Sequence, residues 1–194
     1  KPITDFIDDL STWYTRRSRD RFKGDDETDR AHALGAMRYV LRKLSKLMAP
    51  AMPFYAEHLF MRTHTESDPV SVHLTEWPAA GSVDKDLITT MSLVRNFATT
   101  GLKLRTEANI KVRQPLTSLT IKHSGAIPKY WDECASILKD ELNIKEIILE
   151  EGSENAEHAL SLDTTITEEL KREGEMRDFL RNIQELRKAS GFTP

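Results

Sequence analysis

Residues 31–53 read AHALGAMRYVLRKLSKLMAPAMP, and this stretch decides the fold class of the first half of the chain. Its apolar residues recur every three or four positions, which is the period of one helix face. The stripe comprises Ala31, Leu34, Met37, Val40, Leu41, Leu44, Leu47 and Met48. Pro50 predicts the end of this helix because proline lacks the backbone donor that the helix needs. Pro53 suits the first turn of the next helix, so the stretch predicts two consecutive helices.

Helical patterns continue on both sides of this stretch. Phe6, Leu10, Trp13 and Tyr14 follow the same period, and Gly24 is expected to break that helix. A further helix is predicted from about residue 84 to 104, with an inward face listed as Leu87, Ile88, Met91, Val94 and Phe97. Trp77, Trp131 and the methionines at helical spacing are interpreted as core residues. The first half is therefore predicted to be a helical bundle.

The pattern changes after Lys111. Residues 116–122 and 144–149 are rich in β-forming residues, residues 130–142 read as a helix, and residues 159–163 are expected to add a short strand. A last helix is predicted from about residue 167 to 188. The predicted fold is mainly α: a helical bundle over residues 1–108, followed by a small α/β (α+β) domain over residues 109–194.

Composition excludes several classes of protein. The 194 residues include 28 Lys and Arg against 31 Asp and Glu, a net charge of −3, and the 39% of hydrophobic residues is typical of a globular chain. A single cysteine, Cys134, excludes an internal disulfide framework and fits a reducing compartment. No apolar run is long enough for a membrane span. The chain begins without an initiator methionine, so we expect a piece of a longer protein.

Positive charge is concentrated in two places despite the negative total. The first is residues 13–23, WYTRRSRDRFK, which hold five basic residues, one acidic residue and three aromatic residues. At roughly 100° per residue, Arg16 and Arg19 share the face away from the apolar stripe, whereas Arg17 and Arg21 continue the stripe. These arginines could contact phosphates, for which the guanidinium fork is well suited, or could pair with carboxylates on a neighbouring helix.

The second concentration lies in residues 91–123, which carry six basic residues and one acidic residue. Residues 124–194, in contrast, carry nine basic and sixteen acidic residues. Its candidate contacts are Lys103, Arg105, Lys111 and Arg113. If residues 110–114 are extended, Lys111 and Arg113 share one face. The alternative interpretation is an ordinary solvated strand edge.

No pattern typical of an active site is present. The six histidines lack metal-ligand spacing, and they are His32, His58, His64, His73, His123 and His158. There is no glycine-rich phosphate loop and no nucleophile elbow. The string Lys43-Leu44-Ser45-Lys46 is placed on a helix by its apolar neighbours and is rejected as a phosphate-binding loop. The sequence therefore predicts neither catalytic residues nor a metal site.

Several strings of the sequence are similar to those of one enzyme family. They are Asp9–Tyr14 with Arg16–Arg19, Leu47–Glu57, Ser71–Pro78, Ile110–Leu116, Glu141–Lys145, Glu173-Gly174 with Arg177, and Arg181–Lys188. Over nearly its whole length the chain resembles the C-terminal part of class I isoleucyl-tRNA synthetases, namely the anticodon-binding bundle and the start of the extension that follows it. The last four strings are the ones selective for the isoleucyl branch.

The resemblance implies a function in tRNA binding. The chain would grip the anticodon stem-loop of tRNA(Ile), through phosphate contacts from candidates listed as Arg16, Arg17, Arg19, Arg21, Lys103, Arg105, Lys111 and Arg113. Trp13, Tyr14 or Phe22 could stack on unpaired bases. The parent enzyme, a cytoplasmic isoleucine–tRNA ligase, would use ATP with Mg. This piece has no cofactor of its own and would act beside the upstream catalytic domain of the same chain.

Two alternatives to this function remain open. The chain could be the equivalent region of a sister valyl-type synthetase, or a helical interaction module with no role in RNA binding. The family's catalytic and editing domains, with their His-Ile-Gly-His-like and Lys-Met-Ser-Lys-Ser motifs, have no counterpart in residues 1–194. The piece by itself is therefore expected to be inactive.

Overall fold

Caps and prolines in the sequence set the helix boundaries of the first compact unit, Lys1–Gly81. The computed structural model describes residues 2–152 and 159–192. The helical segments of this unit are α1 (Pro2–Asp9), a π-helical turn (Leu10–Thr15), α2 (Arg19–Lys23), α3 (Glu27–Met48), α4 (Pro53–Thr63) and a 3-10 turn (Val72–Leu74). The Asp26 carboxylate caps α3 by accepting the N–H groups of Thr28 and Asp29. Pro53 occupies the first turn of α4, as the sequence predicts.

The core of this unit forms where α3, α4 and the 3-10 turn meet. Its buried members are Leu44, Met48, Ala49, Ala56, Phe60 and Val72. Glu57 fixes the 3-10 turn, because its carboxylate accepts hydrogen bonds from the Ser71 hydroxyl and the Val72 N–H, both at 2.9 Å. On α3, Leu44 and Ser45 are buried within the helix, which agrees with the rejection of residues 43–46 as a loop.

Several apolar residues of the predicted stripes are not buried in this unit. Leu34 and Leu47 are exposed on α3, and Phe54 on α4 is 91% exposed. Trp77, interpreted as core from the sequence, is 64% exposed, so that prediction is wrong. Trp77 lies in the irregular segment after the 3-10 turn, so its indole ring does not belong to the buried face of a helix or strand.

The second compact unit, Ser82–Pro194, contains a small sheet and three helices among its described residues. The elements in chain order are α5 (Lys85–Glu107), β1 (Leu116–His123), α6 (Trp131–Leu142), β2 (Ile144–Glu151), β3 (Ala159–Leu162) and α7 (Glu168–Ala189). The strand order is β2-β1-β3, with β1 parallel to β2 and antiparallel to β3. Leu116 pairs with Ile144, and Leu119 pairs with Leu162. The mainly helical fold with a small α/β region is confirmed.

The core of the second unit lies between the sheet and the helices α5 and α6. Leu116, Leu119 and Ile121 of β1 are buried together with residues of α6, including Leu138 and Leu142. Trp131 is also buried, as predicted, and its ring meets Phe97 of α5 edge to face at 6.2 Å. The start of α5 differs from the prediction, because Leu87 and Ile88 are exposed and the buried face begins at Thr90.

The packing places α5 with the second unit. Helix α5 contacts α6 and β3, and Thr90 donates a hydrogen bond to the carbonyl of Lys129 at 2.6 Å. The compact units divide between residues 81 and 82, because the apolar face of α5 is buried against elements that follow it in the chain.

Two helical glycines give opposite predictions for substitution by alanine. A Cβ atom at Gly101 of α5 would lie 2.5 Å from the Leu142 Cδ1 atom in the core, whereas a Cβ atom at Gly35 of α3 would meet nothing within 4 Å. Gly101→Ala should lower the free energy of unfolding by about 1–3 kcal/mol through overpacking. The control Gly35→Ala should raise it by about 0.5–1 kcal/mol through helix propensity. Chemical denaturation followed by circular dichroism measures both, and stabilisation by Gly101→Ala would contradict the packing at Leu142.

Candidate nucleic-acid interface

The first basic segment, residues 16–23, forms the link between the π-helical turn and α3. The turn adds one residue to the helical repeat, and Thr15 Oγ1 donates to the carbonyl of Leu10, five residues earlier, at 2.8 Å. This shift, with Ser18 buried after it, sets which of the following side chains face outward. Arg16, Arg19 and Lys23 are exposed, and Arg17 is half-buried. The outward face predicted for Arg16 and Arg19 is confirmed, whereas Arg21, predicted to continue the apolar stripe, is exposed.

The four arginine candidates of this segment differ in what they already contact. The Arg16 Nε atom donates to the Thr12 carbonyl at 2.8 Å, and its guanidinium lies 5.8 Å from the centre of the Trp13 ring. The Arg19 side chain makes no hydrogen bond or ion pair with any residue that the structure describes. Arg19 is therefore the arginine most readily available to an external phosphate.

Arg21 follows the alternative interpretation, because it pairs with a carboxylate on a neighbouring helix. Its Nε and Nη2 atoms donate to the carboxylate of Asp29 on α3, at distances between 2.5 and 3.1 Å. The pair is half-exposed, with about two fifths of each side chain accessible. A phosphate at Arg21 would therefore have to compete with a carboxylate that is already in place.

The aromatic residues of the segment are only partly accessible for stacking. Trp13, Tyr14 and Phe22 are all half-buried. The Tyr14 hydroxyl donates to the Ala33 carbonyl of α3 at 3.2 Å, which ties this ring to the unit. Only Trp13, beside the exposed Arg16, combines a ring and a cation at the surface.

The second basic group lies at the end of α5 and in the turn that follows it. Asn109 adopts a positive φ of 56°, and the N–H groups of Asn109 and Ile110 bond back to the carbonyls of Thr106 and Arg105. This pattern ends α5 in a Schellman motif, for which asparagine is suited. Residues 111–114 then form a turn closed by the Gln114 N–H on the Lys111 carbonyl at 3.0 Å. The extended conformation considered for residues 110–114 is wrong.

The four candidates of the second group occupy different environments. Lys103 is exposed and lies 3.9 Å from Glu107 on the same helix, and Lys111 is exposed in the turn. The Arg113 Nε atom lies 3.3 Å from the Asp178 carboxylate of α7. Arg105, in contrast, is 1% exposed, so its guanidinium cannot reach a phosphate at the surface. We therefore remove Arg105 from the candidates for direct contact.

Arg105 is held by backbone carbonyls instead of a carboxylate. Its Nη1 atom donates to the carbonyls of Lys111 and Gln114 at 3.1 and 2.9 Å, and its Nη2 atom donates to the carbonyl of Asn143 at 3.0 Å. Burial lowers the pKa of Arg105 to about 10, so the group remains charged at neutral pH. Hydrogen bonds to a charged group contribute about 1.5–3 kcal/mol each, which helps to offset its desolvation.

Asn143, between α6 and β2, is a structural residue whose role the sequence reasoning missed. It adopts a φ of 48°, which asparagine tolerates better than most residues. Its Nδ2 atom donates to the carbonyls of Val112 and Arg113, and its Oδ1 atom accepts from Arg177 of α7. The available signal was an asparagine directly after the last apolar residue of a predicted helix.

No other chemistry is assembled in the part of the chain that the structure describes. Within residues 2–152 and 159–192 there is no group of three histidine, cysteine or carboxylate residues that could hold a metal ion. His158 lies outside the described residues. Cys134 is buried, and burial raises the pKa of its thiol. Among the described helices, none is both long and apolar enough to cross a membrane.

Comparison with known proteins identifies the family of this chain. The family model for the anticodon-binding domain of tRNA ligases matches residues 1–121. The chain belongs to this family. The match to this anticodon-binding domain extends past residue 108 and past the packing division at residue 81, so the predicted domain boundary at residues 108 and 109 stays a prediction.

The relatives of this anticodon-binding domain confirm the resemblance to the isoleucyl branch. The chain is similar to the isoleucine–tRNA ligase of Dehalococcoides mccartyi strain 195, with 34% identity across 98% of this chain and 20% of that protein. It is also similar to the isoleucine–tRNA ligase of Chlamydia trachomatis serovar D, with 38% identity across 75% of this chain and 14% of that protein. The isoleucine–tRNA ligase of Leifsonia xyli subsp. xyli is 40% identical across 77% of this chain and 13% of that protein. The chain thus spans a fifth or less of the length of these relatives.

The ion pair between Arg21 and Asp29 predicts a pH-dependent contribution to the stability of the first unit. The Arg21 guanidinium holds the pKa of Asp29 below its ordinary value of 3.8. The stabilisation is therefore complete only well above the ordinary pKa, at about pH 5 and higher, and is lost as the pH falls through the lowered pKa. Asp29→Asn should lower the Tm slightly at about pH 7, because the pair is half-exposed, and the difference from the natural chain should disappear as the pH falls below that lowered pKa.

The measurement is thermal unfolding of both chains across this pH range. Asp25→Asn serves as the control, because it removes the same charge from an exposed loop residue that has no ion pair within the described residues. A Tm difference for Asp29→Asn that stayed constant down to the lowest pH would contradict the assignment of the shift to Arg21.

Proposed function

We propose that this chain is the tRNA-binding part of an isoleucine–tRNA ligase and that it contacts the anticodon stem-loop of tRNA(Ile). The observation that carries the proposal is the match of residues 1–121 to the anticodon-binding domain of tRNA ligases, together with isoleucine–tRNA ligase relatives at 34–40% identity. These relatives favour the isoleucyl branch over the valyl alternative.

The exposed and half-buried cations of the two basic groups supply the binding chemistry. Arg16, Arg17 and Arg19 in the first unit, and Lys103, Lys111 and Arg113 in the second, are the proposed phosphate contacts; Arg21 would join them by exchanging Asp29 for a phosphate. Contacts of this kind fix the position of an RNA without reading its sequence. Base recognition in single-stranded loops commonly uses stacking on aromatic rings. The ring of Trp13 beside the Arg16 guanidinium is the surface we propose for it.

The distribution of charge limits the RNA-binding surface to part of the chain. Residues 124–194 carry sixteen acidic and nine basic residues, and α7 begins with Glu168 and Glu169. A surface of this composition repels a polyanion. We therefore propose that the RNA contacts lie within residues 13–113.

The reaction belongs to the parent enzyme. That enzyme would attach isoleucine to tRNA(Ile) in the cytoplasm, using ATP with Mg and releasing AMP and diphosphate. The role of this chain would be to hold the tRNA in register for the upstream catalytic domain of the same polypeptide, with no catalytic residue of its own.

Binding to tRNA should be salt-dependent and should depend on particular cations. Each phosphate contact that is lost should reduce the slope of log K against log salt by about 0.7–1. Arg19→Ala and Lys111→Ala should each weaken binding of the tRNA(Ile) anticodon stem-loop about threefold to tenfold and should reduce this slope. Filter binding at several salt concentrations provides the measurement, with a noncognate stem-loop for comparison.

Arg172→Ala is the matched control, because it removes an exposed arginine from helix α7, outside residues 13–113. We expect it to change neither affinity nor slope. Binding that is absent or insensitive to salt would instead support the interaction-module alternative. Equal losses from Arg19→Ala and Arg172→Ala would mean that only the net charge matters and would contradict the proposed contact surface.

A further inference from the structure

All four carbonyl groups of the 111–114 turn are held by side chains from outside the turn. Arg105 binds the first and the last of them, those of Lys111 and Gln114. The amide of Asn143 binds the middle two, those of Val112 and Arg113, at 2.9 and 3.1 Å. An ordinary surface turn leaves such carbonyls to water. These four hydrogen bonds from two side chains indicate that the conformation of this turn is fixed by residues outside it.

The two side chains also hold each other in place. The Arg105 Nη2 atom donates to the Asn143 carbonyl at 3.0 Å, and the same carbonyl accepts the Leu116 N–H at 3.1 Å. Asn143 is therefore joined to α5 and to the first residue of β1. Its Oδ1 atom accepts from Arg177, which is itself paired with Glu173 on α7. We call Arg105 and Asn143 the carbonyl clamp.

The position of Arg105 is costly unless it serves the clamp. A guanidinium in the interior without a carboxylate is strongly disfavoured, and Arg105 has no carboxylate partner among the described residues. Its Nε atom is buried and has no hydrogen-bond partner among the described residues. A neutral apolar side chain would fill the space without this cost. What the guanidinium provides, and an apolar side chain would not, is simultaneous hydrogen bonding to the carbonyls of residues 111, 114 and 143.

The clamp affects how the turn meets an anion. Carbonyl oxygens carry partial negative charge, and oxygens that faced outward beside Lys111 and Arg113 would repel a phosphate. Their bonds to Arg105 and Asn143 occupy these oxygens with donors of the protein, so that the cationic side chains of the turn remain for an external anion. Preorganised positive groups bind better than mobile ones because less conformational entropy is lost on binding.

We propose that Arg105 and Asn143 are positioning residues that fix the 111–114 turn so that Lys111 and Arg113 engage an RNA phosphate. The hydrogen bonds of the carbonyl clamp are observed in the structure, whereas its role in RNA binding rests on the proposed function. Arg105 thus affects RNA binding without touching RNA, and Asn143 contributes through its amide and its positive φ.

The first arm of the test requires no RNA. Asn143→Gly keeps the positive φ and removes the two amide donors, so trypsin cleavage after Lys111 and Arg113 in the 194-residue chain should rise about tenfold. Asn96→Gly, the same substitution at an exposed position within α5, is the control for general loss of stability and should not raise cleavage at these two sites. Unchanged cleavage in Asn143→Gly would overturn the clamp, whatever the RNA measurements give.

The second arm measures binding of the tRNA(Ile) anticodon stem-loop. Asn143→Gly should weaken it about threefold to tenfold in the natural background and should have no further effect in the Lys111→Ala/Arg113→Ala background, because it acts through those side chains. Arg105→Lys keeps the positive charge but cannot make all three hydrogen bonds to the carbonyls. It should therefore weaken stem-loop binding to the same extent as Asn143→Gly, and only in the natural background. If Arg105→Lys fails to fold, as judged by circular dichroism, the Asn143→Gly cycle decides alone.

The outcomes separate the two proposals. Increased cleavage with unchanged RNA affinity in Asn143→Gly would overturn the positioning role and leave the proposed function intact. An affinity loss that persists in the Lys111→Ala/Arg113→Ala background would overturn it as well, because the effect would then be general. If the natural chain binds no stem-loop at all, the proposed function fails and the positioning role fails with it, while the trypsin result still reports on the clamp.

Discussion

The second unit depends on one buried positive charge. The Arg105 guanidinium lies at the junction of α5, the 111–114 turn and the start of β2, and it makes its hydrogen bonds to backbone carbonyls rather than to a carboxylate. Because carbonyls belong to the chain path and not to a side chain, these bonds fix where the backbone runs between helix and sheet. The register of Leu116 with Ile144 at the start of the parallel pair follows directly from that junction.

The basic residues of this chain serve two different purposes, and exposure distinguishes them. Arg19 and Lys111 are exposed and are suited to an external polyanion, whereas Arg105 acts inside the protein. Arg21 and Arg113 lie between these extremes, because each pairs with a half-exposed aspartate. Such pairs contribute little to stability, and their carboxylates could be replaced by phosphates at small cost. A net charge of −3 therefore says little about the ability of this protein to bind RNA.

Local signals predicted the elements well, and tertiary signals were weaker. Pro50, Pro53 and the acidic residues before α3 gave the helix boundaries, because caps and prolines act within one helical turn. Periodicity did not reveal that Leu87 and Ile88 are exposed, since a helix end can extend beyond the element that covers it. The burial of Arg105 could not be predicted either, because its three partners are carbonyls, which every residue possesses. The π-helical turn likewise has no sequence signature in residues 10–15.

The central position of β1 affects how this unit can form during synthesis. Both of its neighbours, β2 and β3, come later in the chain, and the nearer one follows only after α6 has been made. Helix α5 and strand β1 therefore leave the ribosome with their apolar faces uncovered and wait for about forty residues before the sheet can close. During that interval the nascent segment is vulnerable to misassociation, and α6, which packs on α5, is the first later helix that can cover it.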